Sequence, residues 1–305
     1  MTRTVERPVW QTVDVDGASM RVMTAGSGDP LLFLHGWGLS PRCYADGITR
    51  LTAAGLRVIA PALPGFGGSD GPGLREIDIQ QYAQRVGRLL DVLDIDHPAF
   101  VVGHSFGGGV GIQLTTDRPE RVRSLTLLNS VGGAPGQRTG LMDASWLKWM
   151  LGTVSELSPR DLARSAPGML RDLVPNLLRK PITSALTAKL ALTVDLSAQA
   201  ERLVANGVPV LFFWGDDDKL ILPGALGSVA GALPNEVVSG RHGWLLSKPE
   251  EFASLVRDAL VVHAMLERSK RGQALVLPKG STLADLIPEE RRHATRNGRL
   301  RKVGP

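Results

Sequence analysis

The stretch Phe100-Val101-Val102-Gly103-His104-Ser105-Phe106-Gly107-Gly108 decides the fold. It opens as a wholly apolar run, as a buried parallel strand does, and a helical pattern follows from residue 106 to 116. Between them, Gly103 to Gly107 fits G-x-S-x-G, in which a serine stands on a tight strand-to-helix turn. The chain contains 35 glycines, so the pattern alone is weak evidence and its setting carries the interpretation. We predict that Ser105 is a nucleophile and not an incidental serine of a glycine-rich turn.

Apolar runs and helical patterns alternate on both sides of this stretch. Strands are predicted, after an opening hairpin of 10–15 and 20–25, at 31–34, 57–60, 99–102, 124–128 and 208–213. Helices are predicted at 44–54, 77–93, 106–116 and 249–265. Such alternation is typical of an α/β fold, with a mostly parallel sheet covered by helices on both faces.

One internal stretch and the end of the chain depart from this alternation. Residues 132–206 show helical periodicity without a convincing strand, which predicts a helical cap inserted between core segments 1–131 and 207–266. Residues 267–305 lose the pattern and are predicted to form a basic, weakly ordered tail.

The positive charge of the chain is concentrated in that tail. The formal net charge is +5, and residues 267–305 hold ten Lys and Arg against four Asp and Glu. The remaining residues hold 25 against 26, so the body is near neutral, which argues against a nucleic-acid-binding body. The tail has two interpretations: a solvated extension, or a segment that makes weak contact with an anionic membrane surface.

Several other features bound the class of protein. Cys43 is the single cysteine, so no internal disulfide forms, and residues 1–11 lack an apolar run of signal-peptide length. No apolar run is long enough to span a bilayer. We expect a soluble, cytoplasmic protein. The sequence shows no cysteine cluster, histidine pair or GxxxxGK[ST] loop, so no metal or organic cofactor is predicted, and it does not indicate the oligomeric state.

Four further motifs complete the argument. His35-Gly36-Trp37-Gly38 follows a predicted strand, and Leu63 to Asp70 reads LPGFGGSD. Another strand runs into Asp216-Asp217-Asp218, and His242 lies shortly before a predicted helix. These motifs, in this order around G-x-S-x-G, resemble the α/β-hydrolase superfamily over residues 13–265. Ala62 stands where relatives often have an aspartate, which predicts a looser anchoring of the loop after it.

The resemblance implies an eight-stranded sheet with a helical cap and a catalytic triad. It assigns Ser105 as nucleophile, His242 as base and, through the pattern G-x-x-D, Asp218 as the acid, in the chain order that this fold uses. It also implies an oxyanion hole formed by the backbone N–H groups of Trp37 and Phe106. Asp216 and Asp217 are interpreted as solvated neighbours.

Other candidates for base and acid are less well placed. His35 and His104 lie inside the motif turns, and His35 is expected to bond nearby backbone. His263 is interpreted as a packing residue of a helix; the two histidines that remain lie in a loop and in the tail. Some relatives carry the acid after the strand that precedes the cap, but that strand ends here at Asn129, which favours the later aspartate.

The substrate-binding residues are predicted to be mostly apolar. An apolar pocket suits an acyl chain or an aromatic ester, and arginines of the cap could accept an acidic group. The predicted contacts are Trp37, Phe106, Met142, Trp146, Trp149 and Trp244.

The sequence therefore predicts a serine esterase of the carboxylesterase or lipase type, acting on a small-molecule ester or acyl substrate. Epoxide hydrolases and haloalkane dehalogenases of this fold use aspartate where this chain has Ser105, which disfavours both. A carbon–carbon hydrolase of vinylogous diketones and an acyltransferase remain as alternatives with the same triad. A non-catalytic ligand receptor is the remaining alternative.

Overall fold

The computed structural model describes residues 7–133, 159–221 and 235–270. Eight strands of these residues form one sheet, in the order β1-β2-β4-β3-β5-β6-β7-β8. The pairs β1–β2 and β2–β4 are antiparallel, and all the others are parallel. The strands are β1 (Val9–Val15), β2 (Ala18–Ala25), β3 (Asp29–Leu34), β4 (Leu56–Pro61), β5 (Ala99–His104), β6 (Val122–Leu128), β7 (Val210–Gly215) and β8 (Asn235–Val238).

The helices of the described residues follow the predicted alternation closely in the core. They are α1 (Ala45–Thr52), α2 (Ile79–Val92), α3 (Phe106–Asp117), α4 (Pro159–Arg179), α5 (Pro181–Thr193), α6 (Ser197–Ala205), α7 (Trp244–Ser247) and α8 (Pro249–Lys270). Short 3₁₀ turns lie at Pro41–Tyr44, Leu74–Glu76 and Pro119–Arg121. No helix of the described segments combines the length and apolarity needed to cross a membrane.

Each face of the sheet carries its own hydrophobic core, because successive side chains of a strand point to opposite faces. In β3, Leu32 and Leu34 belong to the core that includes residues of α2 and α3. Leu31 and Phe33 belong to the core that includes residues of α1 and α8. The predicted α/β fold, with a mostly parallel sheet and helices on both faces, is confirmed.

The register of the parallel strands gathers their carboxyl ends at one edge. Leu34 of β3 pairs with Gly103 of β5, and His104 of β5 pairs with Leu128 of β6. Leu128 in turn pairs with Phe213 of β7. The loops that follow these four strands therefore begin side by side, which is where a doubly covered parallel sheet places its ligand site.

The described part of the segment between β6 and β7 consists of α4, α5 and α6, and it is fastened to the core by polar contacts. The Trp37 indole N–H donates to Thr187 Oγ1 of α5 at 3.0 Å. Ser40 donates a short hydrogen bond to Asp172 of α4. Within the segment, the Leu196 N–H donates to the carbonyl of Gly132 at 2.8 Å, which ties the start of α6 to the loop that follows β6.

Two local predictions differ from the structure. Ser69 Oγ donates to the Ala62 carbonyl at 2.7 Å and accepts from the Arg21 N–H at 2.9 Å, so the loop after Ala62 is firmly anchored although position 62 is not an aspartate. Helix α8 also continues to Lys270, past the predicted start of the tail at residue 267. Residues 266–270 contain no glycine or proline that would end it.

Candidate active site

Ser105 lies on a sharp turn between β5 and α3. Its backbone has φ 53° and ψ −117°, a strained combination for a residue with a side chain. The turn is held by hydrogen bonds from the Ser105 N–H to the Leu128 carbonyl at 3.0 Å, and from the Val131 N–H to the Ser105 carbonyl at 3.1 Å. A Cβ on Gly103 would lie 2.6 Å from the Gly107 carbonyl oxygen, so only glycine allows this close approach.

Ser105, His242 and Asp218 form one continuous chain of hydrogen bonds. The Ser105 hydroxyl lies 2.9 Å from His242 Nε2, and His242 Nδ1 lies 2.9 Å from Asp218 Oδ2. Because a carboxylate can only accept, Nδ1 carries the proton and Nε2 is free to accept from the serine hydroxyl. All three side chains are buried, so these contacts form away from bulk water.

Asp218 is held as a carboxylate by its surroundings. Its Oδ1 accepts from the backbone N–H groups of Leu220 and Ile221 at 2.8 and 2.9 Å. Burial raises the pKa of Asp218, but His242 and the donors of Ile221 and Asn129 outweigh it and bring the pKa below its usual value. The group is therefore ionised across the neutral range, which suits a residue that orients an imidazole.

Asn129 and Trp244 support Asp218 from the side. Asn129 follows β6 with φ 46° and is fully buried, and its amide donates a short hydrogen bond to Asp218 Oδ2. The indole N–H of Trp244 donates to Asn129 Oδ1 at 3.0 Å, which fixes the orientation of the amide. This role accounts for the buried Trp244 side chain, for which the sequence analysis predicts a substrate contact.

His104, the variable residue before the serine, takes part in a second buried network. His104 Nε2 lies 3.0 Å from the His242 carbonyl oxygen, to which it must donate, so Nδ1 accepts from the Tyr44 hydroxyl at 2.8 Å. Tyr44 in turn accepts from the Gly36 N–H at 3.2 Å. The network ties the backbone of His242 to the loop after β3, and sequence reasoning did not find it.

The predicted oxyanion donors lie on either side of Ser105. Phe106 is the first residue of α3, a position at which a helix leaves its N–H group without an acceptor inside the helix. Beside the turn, a Cβ on Gly36 would lie 3.4 Å from the Ser105 Cβ, so the backbone leading into Trp37 passes next to the nucleophile. The Phe106 side chain is buried against Tyr82, 5.0 Å between ring centroids, so the predicted role of Phe106 as an oxyanion donor rests on its backbone N–H.

The remaining predicted residues have other placements. Asp216 accepts from the Gly240 N–H at 2.9 Å, and Asp217 pairs with Arg241 at 3.0 Å, so both fasten the loop that precedes His242 and are more than solvated neighbours. Within the described segments, no group of three or more histidine, cysteine and acidic residues could hold a metal ion. The residues Met142, Trp146 and Trp149 lie outside the described residues.

Three buried histidines other than the triad base make stability depend on pH. Burial lowers the pKa of His35 to about 4 and the pKa values of His104 and His263 to about 3. Below pH 6.5 the unfolded chain binds protons at these residues and the folded protein does not. The free energy of unfolding must therefore decrease as the pH is lowered. Each fully titrating histidine contributes about 1.4 kcal/mol per pH unit, or about 4 kcal/mol for three. Urea unfolding at pH 7, 6 and 5 measures this loss.

A matched pair of variants tests the cause. His263→Asn should reduce the pH slope of unfolding free energy between pH 6 and 5 by about a third, since one of three contributions is removed. His97→Asn, at an exposed loop position, is the control substitution of a histidine outside the three buried sites. Equal slopes for wild type and His263→Asn would contradict the explanation.

Comparison with known proteins identifies the family of the chain. The model of the alpha/beta hydrolase family matches residues 31–255. The dihydrolipoyllysine-residue acetyltransferase component of the acetoin cleaving system of Cupriavidus necator is 33% identical over 261 residues, covering 82% of this chain and 69% of that protein. A pimeloyl-acyl-carrier-protein methyl ester esterase of Neisseria meningitidis is 30% identical over 273 residues, covering 84% and 80%.

A solved structure shows the same fold. A serine hydrolase involved in carbazole degradation superposes with a TM-score of 0.68 at 21% identity, covering 84% of this chain and 99% of its own. At that identity the likeness concerns the fold alone, whereas the family model spans most of the chain. The chain belongs to the α/β hydrolase family.

Proposed function

We propose that this protein is a serine hydrolase that cleaves a carboxylic ester, or a related carbonyl substrate, through an acyl-enzyme on Ser105. The observation that carries the proposal is the continuous hydrogen-bond chain from Ser105 through His242 to Asp218, built on a strained strand-to-helix turn. A serine hydroxyl is a weak nucleophile until an adjacent base takes its proton, and this chain supplies that base.

In the first half of the reaction, His242 Nε2 accepts the proton of the Ser105 hydroxyl while Oγ attacks the carbonyl carbon. The carbonyl oxygen becomes an oxyanion, which the N–H groups of Trp37 and Phe106 stabilise. Loss of one such donor typically raises the barrier by about 3 kcal/mol. The ester C–O bond then breaks, and the leaving alcohol takes the proton from His242.

In the second half, water takes the place of the alcohol. His242 accepts a proton from the water as its oxygen attacks the acyl carbon, and collapse of the tetrahedral intermediate returns the proton to Ser105. The acid is released and the free enzyme is restored. Asp218 stays ionised throughout and stabilises the transient imidazolium, which forms twice in each cycle.

Two relatives support acyl chemistry, and their names indicate different acyl acceptors. One is named as a methyl ester esterase, which favours hydrolysis. Another is named as an acetyltransferase component, which favours transfer to an acceptor other than water as the second candidate. The two functions share the acyl-enzyme and differ only in the group that attacks it.

A labelling experiment tests the nucleophile. A fluorophosphonate probe should label the wild-type protein and fail to label Ser105→Ala, with the label mapped by mass spectrometry to Ser105. Equal labelling of both proteins would contradict the proposal. Hydrolysis of p-nitrophenyl esters of increasing acyl length, run beside a vinylogous diketone, then separates ester cleavage from carbon–carbon cleavage. Added alcohol or thiol acceptors reveal acyl transfer as a second product.

A further inference from the structure

Helices α4 and α5 expose a row of large apolar side chains. Leu178 is 77% exposed, Ile182 63% and Leu170 62%, and Val174 and Leu186 are also exposed. Scattered exposed apolar residues are ordinary, but a contiguous apolar surface marks a binding site. We call these five residues the outer face: Leu170, Val174, Leu178, Ile182 and Leu186.

The spacing places the members of the outer face together on each helix. Leu170, Val174 and Leu178 recur every four residues along α4, and Ile182 and Leu186 do the same in α5, so each set forms one stripe. Helix α4 ends at Arg179 and α5 begins at Pro181, so only Lys180, with a non-helical φ of −138° and ψ of 58°, stands between the two helices that carry the stripes.

A different side of each helix is used for packing. Leu173 and Leu177 of α4 pack against the hydrophobic core, and Thr187 of α5 accepts from the Trp37 indole. A Cβ on Gly38 would lie 2.8 Å from Leu173 Cδ1, so α4 rests directly on the loop that follows β3. The two helices therefore have an inner side above the candidate site and an outer side of apolar residues.

The charge around the outer face has one sign. Exposed basic residues accompany it along both helices: Arg171, Arg179, Lys180 and Lys189. Residues 170–194 contain one acidic residue, Asp172, which is buried and contacts Ser40 and Arg42. On helical spacing, Arg171 lies one turn from Val174 and Lys189 one turn from Leu186, so each apolar stripe has a cation next to one of its members.

We propose that the outer face docks on an anionic lipid surface. Apolar side chains bordered by Lys and Arg on a helix face are the arrangement that inserts at a membrane interface, with the cations held at lipid headgroups. Charge complementarity favours this partner over a second copy of the chain, because two outer faces would bring like charges together. The proposal goes beyond the proposed function, since it concerns where the protein acts and holds whatever bond is cleaved.

Vesicle flotation measures the docking directly. The full-length chain should bind vesicles of phosphatidylcholine with phosphatidylglycerol more tightly than phosphatidylcholine alone. Leu178→Gln with Ile182→Gln should weaken binding to both kinds of vesicle about tenfold or more, since two inserted apolar side chains are lost. Arg171→Gln with Lys189→Gln should weaken binding to the anionic vesicles alone by about tenfold or more.

Controls separate the outer face from other causes. Val92→Gln with Arg88→Gln removes one exposed apolar and one exposed basic residue of α2, and should bind as wild type. Ser105→Ala should also bind as wild type, so a failure of the proposed chemistry does not affect this test. Each variant is first checked for an unchanged thermal unfolding midpoint.

Three results would overturn the proposal. One is the absence of vesicle binding by the full-length protein at low salt. Another is loss of binding on deletion of residues 271–305 while the Gln variants of α4 and α5 bind as wild type, which would assign the binding to the tail. The last is a dimer in sedimentation that Leu178→Gln with Ile182→Gln dissociates, which would show that a second copy covers the outer face.

Discussion

Replacement of Ser105 by alanine is expected to lower kcat for ester hydrolysis by about a million-fold, since the only buried hydroxyl within reach of His242 Nε2 is removed from the described site. A residual rate above that of water should remain, because the oxyanion donors of Trp37 and Phe106 are untouched. The measurement is steady-state hydrolysis of a p-nitrophenyl ester by highly purified variants, with burst-phase titration of active sites.

The double variant Ser105→Ala with His242→Ala sharpens this test. The serine and the histidine act as one unit, so the second substitution should cost almost nothing beyond the first. Ser124→Ala is a matched control, because Ser124 is also a buried serine of the core and its hydroxyl is without a partner among the described residues. Retention of kcat by Ser105→Ala, or strictly additive losses in the double variant, would contradict the proposed roles.

Replacement of Asp218 by asparagine is expected to lower kcat by about ten thousand-fold. The Leu220 and Ile221 N–H groups require an oxygen on one side of this residue, so the asparagine NH₂ would face His242 Nδ1 and Asn129. Because Nδ1 would then face a donor, it would have to accept, and the proton of His242 would lie on Nε2. With a proton on Nε2, His242 could no longer accept from Ser105. The matching shapes of the two side chains should preserve the fold, but the NH₂ group also faces the Asn129 donor, so the thermal unfolding midpoint should fall.

Asp217→Asn is the control for this experiment. Asp217 is the adjacent acid and pairs with Arg241 and Lys219 at the surface, so its loss should change kcat only slightly. If Asp217→Asn and Asp218→Asn lose equal activity, the sequence assignment of the acid is wrong.

Much of the fold follows from local pattern. The strands around Leu31–Leu34 and Phe100–Val102 could be predicted because buried parallel strands are continuous apolar runs bounded by turn residues. The turn at Ser105 could be predicted because its close backbone approaches admit only glycine at Gly103 and Gly107, and glycine is visible in a sequence. Helix boundaries follow less directly from local pattern, because α8 continues to Lys270 beyond the predicted end at residue 265.

The supporting network of the site could not be predicted in the same way. His104 reaches Tyr44 and the His242 carbonyl across 60 and 138 residues of sequence, and no local pattern encodes such pairs. The anchoring of the loop after Ala62 was missed for the same reason, because its partner Arg21 lies on a different strand. These contacts depend on how strands are ordered in the sheet, and one sequence does not give that order.

The amide at Asn129 has a consequence for the charge of the site. An aspartate would have nearly the same shape there, but it would put two carboxylates in contact inside a buried pocket. Like charges at that distance cannot both ionise at neutral pH, so the pair would share one proton and titrate as a unit. The neutral amide therefore keeps a single, full negative charge on Asp218, and the imidazole of His242 has one unambiguous partner throughout the working pH range.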